Sequence, residues 1–319
     1  MVQTINRILC CTALAVAAMG SVQAQAKSLP FGDMDQWIKR QIEESAIIGG
    51  NMKTIYAIGP TQTVTGRIPY KPTGGSPWAT SNVMAKVAGI VKTNSSVFPE
   101  QRGNGYCARL DTHMESVKVF GLVNITVLAA GSMFLGKVHE PITGTKNPNA
   151  MLEMGIPFHQ RPKGLQFDYK VHIASSPNRI RSTGFSRQAT IPGKDHAAVV
   201  LLLQKRWEDK NGNVYAHRVG TFATQYTQSC NWHNNAQYHI LYGNPTGQAG
   251  YKDALMKLNA YEFYTTNSKG KSVPIKEVDW AAPNEAPTHL ILQFASSHGG
   301  AYIGSPGNSF WVDNVELVY

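Results

Sequence analysis

Ser309-Phe310-Trp311-Val312-Asp313-Asn314-Val315-Glu316-Leu317-Val318-Tyr319 reads as a β-strand whose phase changes partway along. Apolar residues alternate with others, as a half-buried strand requires. Phe310 and Val312 share one face, whereas Val315, Leu317 and Tyr319 take the opposite parity. The phase can change only near Asp313-Asn314. Either a β-bulge inserts one residue there, or Asp313 points at the core. Both readings make Asp313 a special position in a strand that closes a sheet.

Other segments carry the same signal. Leu165, Phe167, Tyr169, Val171 and Ile173 alternate with Gln166, Asp168, Lys170 and His172. Ala197 to Leu203 is apolar on both parities and reads as a central strand covered on both faces. Val117 to Ala130 and Leu290 to Ala295 are further apolar runs. Asp209-Lys210-Asn211-Gly212-Asn213 is a hairpin turn signal. Only Met34 to Ser45 reads as a helix, with Trp37, Ile38 and Ile42 near one face. Short strands joined by Gly- and Pro-bearing turns, without crossover helices, point to an all-β, two-sheet antiparallel sandwich with a short N-terminal helix.

The first 26 residues read as a secretory signal peptide: Arg7, an apolar run from Ile8 to Met19, and small-x-small sites ending at Ala24 and Ala26. Cys10 and Cys11 precede any lipobox position. The expectation is an exported protein, periplasmic, cell-surface or extracellular. No other run is long and apolar enough for a membrane-spanning helix. The chain carries 30 basic and 20 acidic residues, a formal charge of +10. An acidic polysaccharide or lipopolysaccharide partner is one reading, an evenly solvated basic surface the other. Arg179-Ile180-Arg181 and Lys205-Arg206 are the tight basic groups. No interleaving of aromatic and basic residues suggests nucleic acid. Cys107 and Cys230 remain after cleavage, either as one disulfide or as two thiols.

Familiar catalytic motifs are missing. There is no Gly-x-Ser-x-Gly elbow, no His-Glu-x-x-His and no P-loop. Gly103 to Ala108 matches a loose glycine motif and reads as a turn. A glycosidase needs two convergent carboxyl groups, but the spacing of Asp111, Glu115, Asp168, Asp195, Asp253, Glu262, Asp279, Asp313 and Glu316 selects no pair. Carbohydrate binding needs aromatic rings beside amides. Asn231-Trp232-His233-Asn234-Asn235 combines these in one polar segment, with Trp78 and Trp207 as further candidates. Trp37, Trp280 and Trp311 read as core.

Several stretches carry a family resemblance: Ser76 to Asn82, Gly103 to Thr112, Ala130 to Gly136, Gly155-Ile156-Pro157-Phe158 with Arg161-Pro162, Leu165 to Lys170, Ser296-Ser297, and Val312-Asp313-Asn314-Val315. Together they resemble the putative carbohydrate metabolism domain of glycan-using bacteria, whose broader relatives are galactose-binding-like jelly rolls. The resemblance implies one jelly-roll domain over residues 27–319, a polysaccharide or oligosaccharide partner, and no agreed catalytic residue. The segments 175–187 and 230–251 look longer than the family pattern and would reshape a binding face. In related jelly rolls a calcium ion often ties the first strand to the last; here Asp33 or Asp35 with Asp313 would supply its oxygens. The leading expectation is an exported, non-catalytic carbohydrate-binding protein. The alternatives are a glycoside hydrolase or lyase, and a structural or adhesion module.

Overall fold

The structure, a computed structural model, describes residues 25–119, 123–184 and 187–319. The signal-peptide reading of residues 1–26 lies outside them except for Gln25 and Ala26. Two sheets pack face to face. The first has eight strands, in the order Thr183–Gly184, Val123–Ala130, Gly105–Val119, Ser309–Val318, Gly164–His172 and Cys230–His239; Ala26–Ser28 and Val97–Arg102 join it from the side. The second has ten strands and is centred on His289–Ala295, Ala197–Glu208 and Val214–Tyr226. Within these two sheets neighbouring strands run antiparallel except where Val214–Tyr226 meets Ser272–Trp280. Among the described residues no helix is long and apolar enough to cross a membrane.

The alternation of side chains explains both layers. Leu165, Phe167, Val171, Phe310, Val312, Val315 and Leu317 of the first sheet meet Val199, Leu201, Leu203, Leu290, Leu292 and Phe294 of the second in one core. The other parity of the second sheet (Val200, Leu202, Phe134, Ile291) packs under Met256 and Phe263 in another. Ala197–Leu203 is therefore covered on both faces, as its sequence requires. Asp209 organises the predicted turn by accepting hydrogen bonds from the backbone of Asn211 and Asn213, both at 2.9 Å.

The helix expected over Met34–Ser45 is instead a strand, Trp37–Glu43, paired antiparallel with Met52–Ile58 and parallel with Gln62–Thr65. Its buried face is Ile38, Arg40 and Ile42, a period of two. Arg40 obscures that period because it looks like a solvated charge. It is 4 % exposed and pairs with Glu140, Nη1 to Oε1 at 3.0 Å and Nη2 to Oε2 at 2.5 Å. Cys107 is buried, Cys230 is half-buried, and both are free thiols.

The phase change in the closing strand is a bulge. Gln166 faces Glu316 but Asp168 faces Asp313, so Asn314 and Val315 on one strand lie opposite Phe167 alone on the other. Asn314 absorbs the extra residue at φ 50°, a conformation asparagine tolerates better than most. The edge strand Cys230–His239 bulges on the opposite side of Gly164–His172, with Asn235 at φ 53°. Asp168 lies between the two bulges and fastens both. Its Oδ1 accepts the Asn235 backbone N–H at 2.6 Å and its Oδ2 the Asn314 Nδ2 at 2.9 Å. Arg102 Nη1 then bridges Asp168 Oδ2 at 2.8 Å and Asp313 Oδ2 at 2.5 Å. Burial opposes ionisation of Asp168, but Asn235, Asn314 and Arg102 overcome it and hold the carboxyl below the usual range. Burial pushes Asp313 up to about 6, against the pull of Arg102.

This node occupies the position where calcium was expected, and its geometry does not suit the ion. Asp33, Asp35 and Asp313 do line one 440 Å³ hollow, but Arg102 lines it too. Arg102 already holds Asp313, and Asp35 Oδ1 accepts the Tyr106 N–H at 2.7 Å. Among the described residues no three His, Cys, Asp or Glu side chains converge as a ligand set. The tie from first strand to last is made by backbone pairing of Ala26, Lys27 and Ser28 with Val318, Leu317 and Glu316.

Two predictions follow from the node. Arg102→Met leaves two buried carboxylates without their cation and should lower stability by about 3 kcal/mol at pH 7 in urea unfolding. A loss below about 1 kcal/mol would show that the node is not needed. Asp313 holds its proton more tightly folded than unfolded, so its contribution favours the fold below pH about 4 and is lost as pH rises through about 6. Asp313→Asn should remove that slope, while millimolar calcium should leave the melting temperature of the parent chain unchanged.

Candidate functional site

Two surfaces compete for the role, one on the outer face of each sheet. On the first sheet, a row of side chains crosses five strands through direct register partners. Phe98 faces Arg109, Arg109 faces Trp311, and Trp311 faces Lys170. Trp232 on the edge strand ends the row. Cations and rings alternate along it. Arg109 lies 5.0 Å from the Phe98 ring centre, and Lys170 lies 3.9 Å from that of Trp311 and 6.0 Å from that of Trp232. Trp311 is thus half-buried on this outer face rather than in the core, and its Nε1 donates to Glu100 Oε1 at 2.8 Å.

The segment Asn231–Asn235 was expected to be a sugar-contacting loop. It is part of a strand, and its residues divide between the two faces. Trp232 carries Arg102 on its ring at 3.9 Å, and Asn234 Oδ1 accepts from Arg102 Nη2 at 2.6 Å. His233 turns the other way and stacks on Tyr169 at 5.1 Å. Asn231 is exposed. Because Arg102 is fixed by Asp168 and Asp313, one face of Trp232 is occupied by its own protein. Such a ring stabilises the sheet through cation–π contact and offers a sugar little area.

Trp78 is fully buried against the core, with Nε1 donating to Pro30 O at 2.9 Å, so it cannot touch a glycan. Trp207 is 41 % exposed and stacks on Tyr215 at 5.8 Å. It lies at the far end of the central strand, roughly 30 Å from Ala198 at the extended rise per residue. The predicted aromatic residues therefore do not form one site. Trp37 is buried in the core as expected.

The second surface is a groove of 860 Å³ on the outer face of the ten-stranded sheet, lined at its base by Ala198, Val200, Gln225, Gln293 and Ala295. The Gly105–Val119 and Val123–Ala130 hairpin forms one wall, through Glu115, Val117, Ile125 and Val127. The segment with Tyr261 and Phe263, stacked 5.6 Å apart, forms the other. His298 and Tyr302 close one end. This volume suits a small ligand, and a mostly apolar lining with a few placed polar groups is the usual composition of such sites.

Two acids, Glu115 and Glu262, line the groove. Glu115 is tied to Lys92 at 3.0 Å and to His113 at 3.6 Å. Burial opposes its ionisation, but His113 and Lys92 prevail and keep its carboxyl low. Glu262 is exposed and accepts from Tyr264 Oη at 2.7 Å. Asp195 lies beneath the end of the groove and is almost wholly buried. It accepts from Ser305 N at 2.8 Å, His196 N at 2.9 Å, Ser297 Oγ at 3.0 Å and Asn308 Nδ2 at 3.1 Å, and lies 3.1 Å from His298 Nδ1. It fastens the loops that shape this end. Sequence reasoning missed the groove because its lining comes from many separate segments, each contributing one or two ordinary residues. The Ser296-Ser297-His298-Gly299-Gly300 run after a strand was its one local sign.

No curated protein matches the chain. A putative glycoside hydrolase from Bacteroides thetaiotaomicron VPI-5482 is similar in structure, with a TM-score of 0.45 and 16% identity over 88% of this chain and 70% of that one. The CBM22-1–GH10 modules of a Clostridium thermocellum endo-1,4-β-D-xylanase, crystallised with xylohexaose, give a TM-score of 0.22 and 9% identity over 76% of this chain and 26% of theirs. At these scores neither likeness bears on function. The family model of the putative carbohydrate metabolism domain matches residues 61–318. That stretch is far more than half of the sequence, and the chain belongs to this family.

Proposed function

We propose that this chain is an exported carbohydrate-binding protein serving polysaccharide use, and that it holds an oligosaccharide in the groove of the ten-stranded sheet without a covalent step. The groove itself carries the reading. It combines 860 Å³ of space with ring-bearing Tyr261 and Tyr302 and with the amides of Gln225, Gln293 and Asn94. Rings can stack on the apolar faces of sugars while amides bond their hydroxyls. Export is supported by the character of residues 1–26. The family supplies the carbohydrate context.

Calorimetry against plant, host and microbial glycans should give dissociation constants between millimolar and micromolar. Tyr261→Ala should weaken the best ligand by about three- to tenfold, whereas Trp232→Ala should change its affinity by less than twofold. The reverse ranking would move the site to the first sheet, and silence across the whole panel would end the glycan reading.

A further inference from the structure

The end of the groove next to His298 is bordered by the small sheet Ala189–Pro192, Asn178–Arg181 and Ile303–Gly304. Its middle strand, Asn178–Arg181, comes from the extended segment 175–187. Arg179 and Arg181 are two residues apart on one strand and so share a face. Arg179 borders the groove's end through His298, with Nη1 3.4 Å from His298 Nε2, while its Nη2 donates to Pro192 O at 3.0 Å. Arg187 and Lys194 flank the neighbouring strand and are exposed. Among the described residues none of these four cations has a carboxylate within ion-pair distance. The acid among them, Asp195, is consumed by its own hydrogen bonds. The basic residues that look scattered in the sequence are thus gathered at one place by the fold.

A second observation points the same way. Arg179 Nε and His196 Nδ1 are buried and have no hydrogen-bond partner. Buried polar groups are normally satisfied, and a guanidinium N–H can only donate. His196 stacks on His298 at 4.6 Å, so the unmet groups lie around the ring that closes the groove. The opposing acid in the groove, Glu115, already has Lys92 and His113 as counter-charges.

Resting on the glycan reading above, we infer that the ligand is an acidic glycan, and that Arg179, His196 and His298 form a subsite for a sugar carboxylate or sulfate ester. Arg181, Arg187 and Lys194 extend that subsite along the chain of the polysaccharide. Arginine suits such a group because its planar fork matches two oxygens at once.

The test is calorimetry on the mature chain with polygalacturonate, alginate and hyaluronan, each against its methyl-esterified form, and with dextran sulfate against dextran. At least one acidic polymer should bind tenfold or more tightly than its neutral counterpart. That preference should fade between 0.05 and 0.5 M salt. Arg179→Gln should lose most of it while keeping the affinity for the neutral form. Arg181→Gln with Lys194→Gln, at exposed positions that leave the fold intact, should lose part of it. The carboxylate and sulfate arms show which anion is read. Equal affinity for charged and neutral forms, or a preference unmoved by either variant, overturns the subsite and leaves the groove standing. Binding by none of the polymers in any form overturns the groove itself.

Discussion

One shared guanidinium organises this fold. The closing strand must bury Phe310 and Val312 on one parity and Val315 and Leu317 on the other, so it has to contain an extra residue. A bulge leaves backbone and side-chain polar groups out of the ladder, and they need partners. Asp168 collects them from both sides of its strand, and Arg102 neutralises it together with Asp313. The sandwich core depends on this register, because a slip by one residue would turn every apolar side chain outward.

The same node changes how the aromatic surface should be understood. Tryptophans on a polar sheet face invite a sugar-binding interpretation. Here the cations of Arg102, Arg109 and Lys170 lie against Trp232, Phe98 and Trp311. The row resembles a packed layer more than a platform, and its energy goes into holding neighbouring strands together. The groove on the other sheet has fewer distinctive residues but more usable space. Position and shape, rather than residue type, make it the candidate site.

How much of this was legible in the sequence follows from the range of each signal. The alternation in Leu165–Ile173 and the phase change at Asp313-Asn314 are local and strong, and both survive in the structure. The double-sided run at Ala197–Leu203 is equally local. Trp37–Glu43 was misread because a buried Arg40 needs Glu140, a hundred residues away, to make sense. The calcium expectation named Asp33, Asp35 and Asp313, which line one hollow, but nothing in the sequence signalled that Arg102 lines it too. The groove was invisible because Ala198, Gln225, Tyr261 and His298 become neighbours only through topology.

The closing strand is last in sequence yet lies inside its sheet, between Gly105–Val119 and Gly164–His172, while Ala26–Ser28 pairs with its far end. Its partners are therefore separated from it by well over a hundred residues, and the first sheet cannot be completed before this strand is made. Pairings of such range form slowly, because the entropy of bringing distant segments together is lost before contacts compensate. That delay leaves Gly105–Val119 and Gly164–His172 without their shared partner until Ser309–Val318 is available.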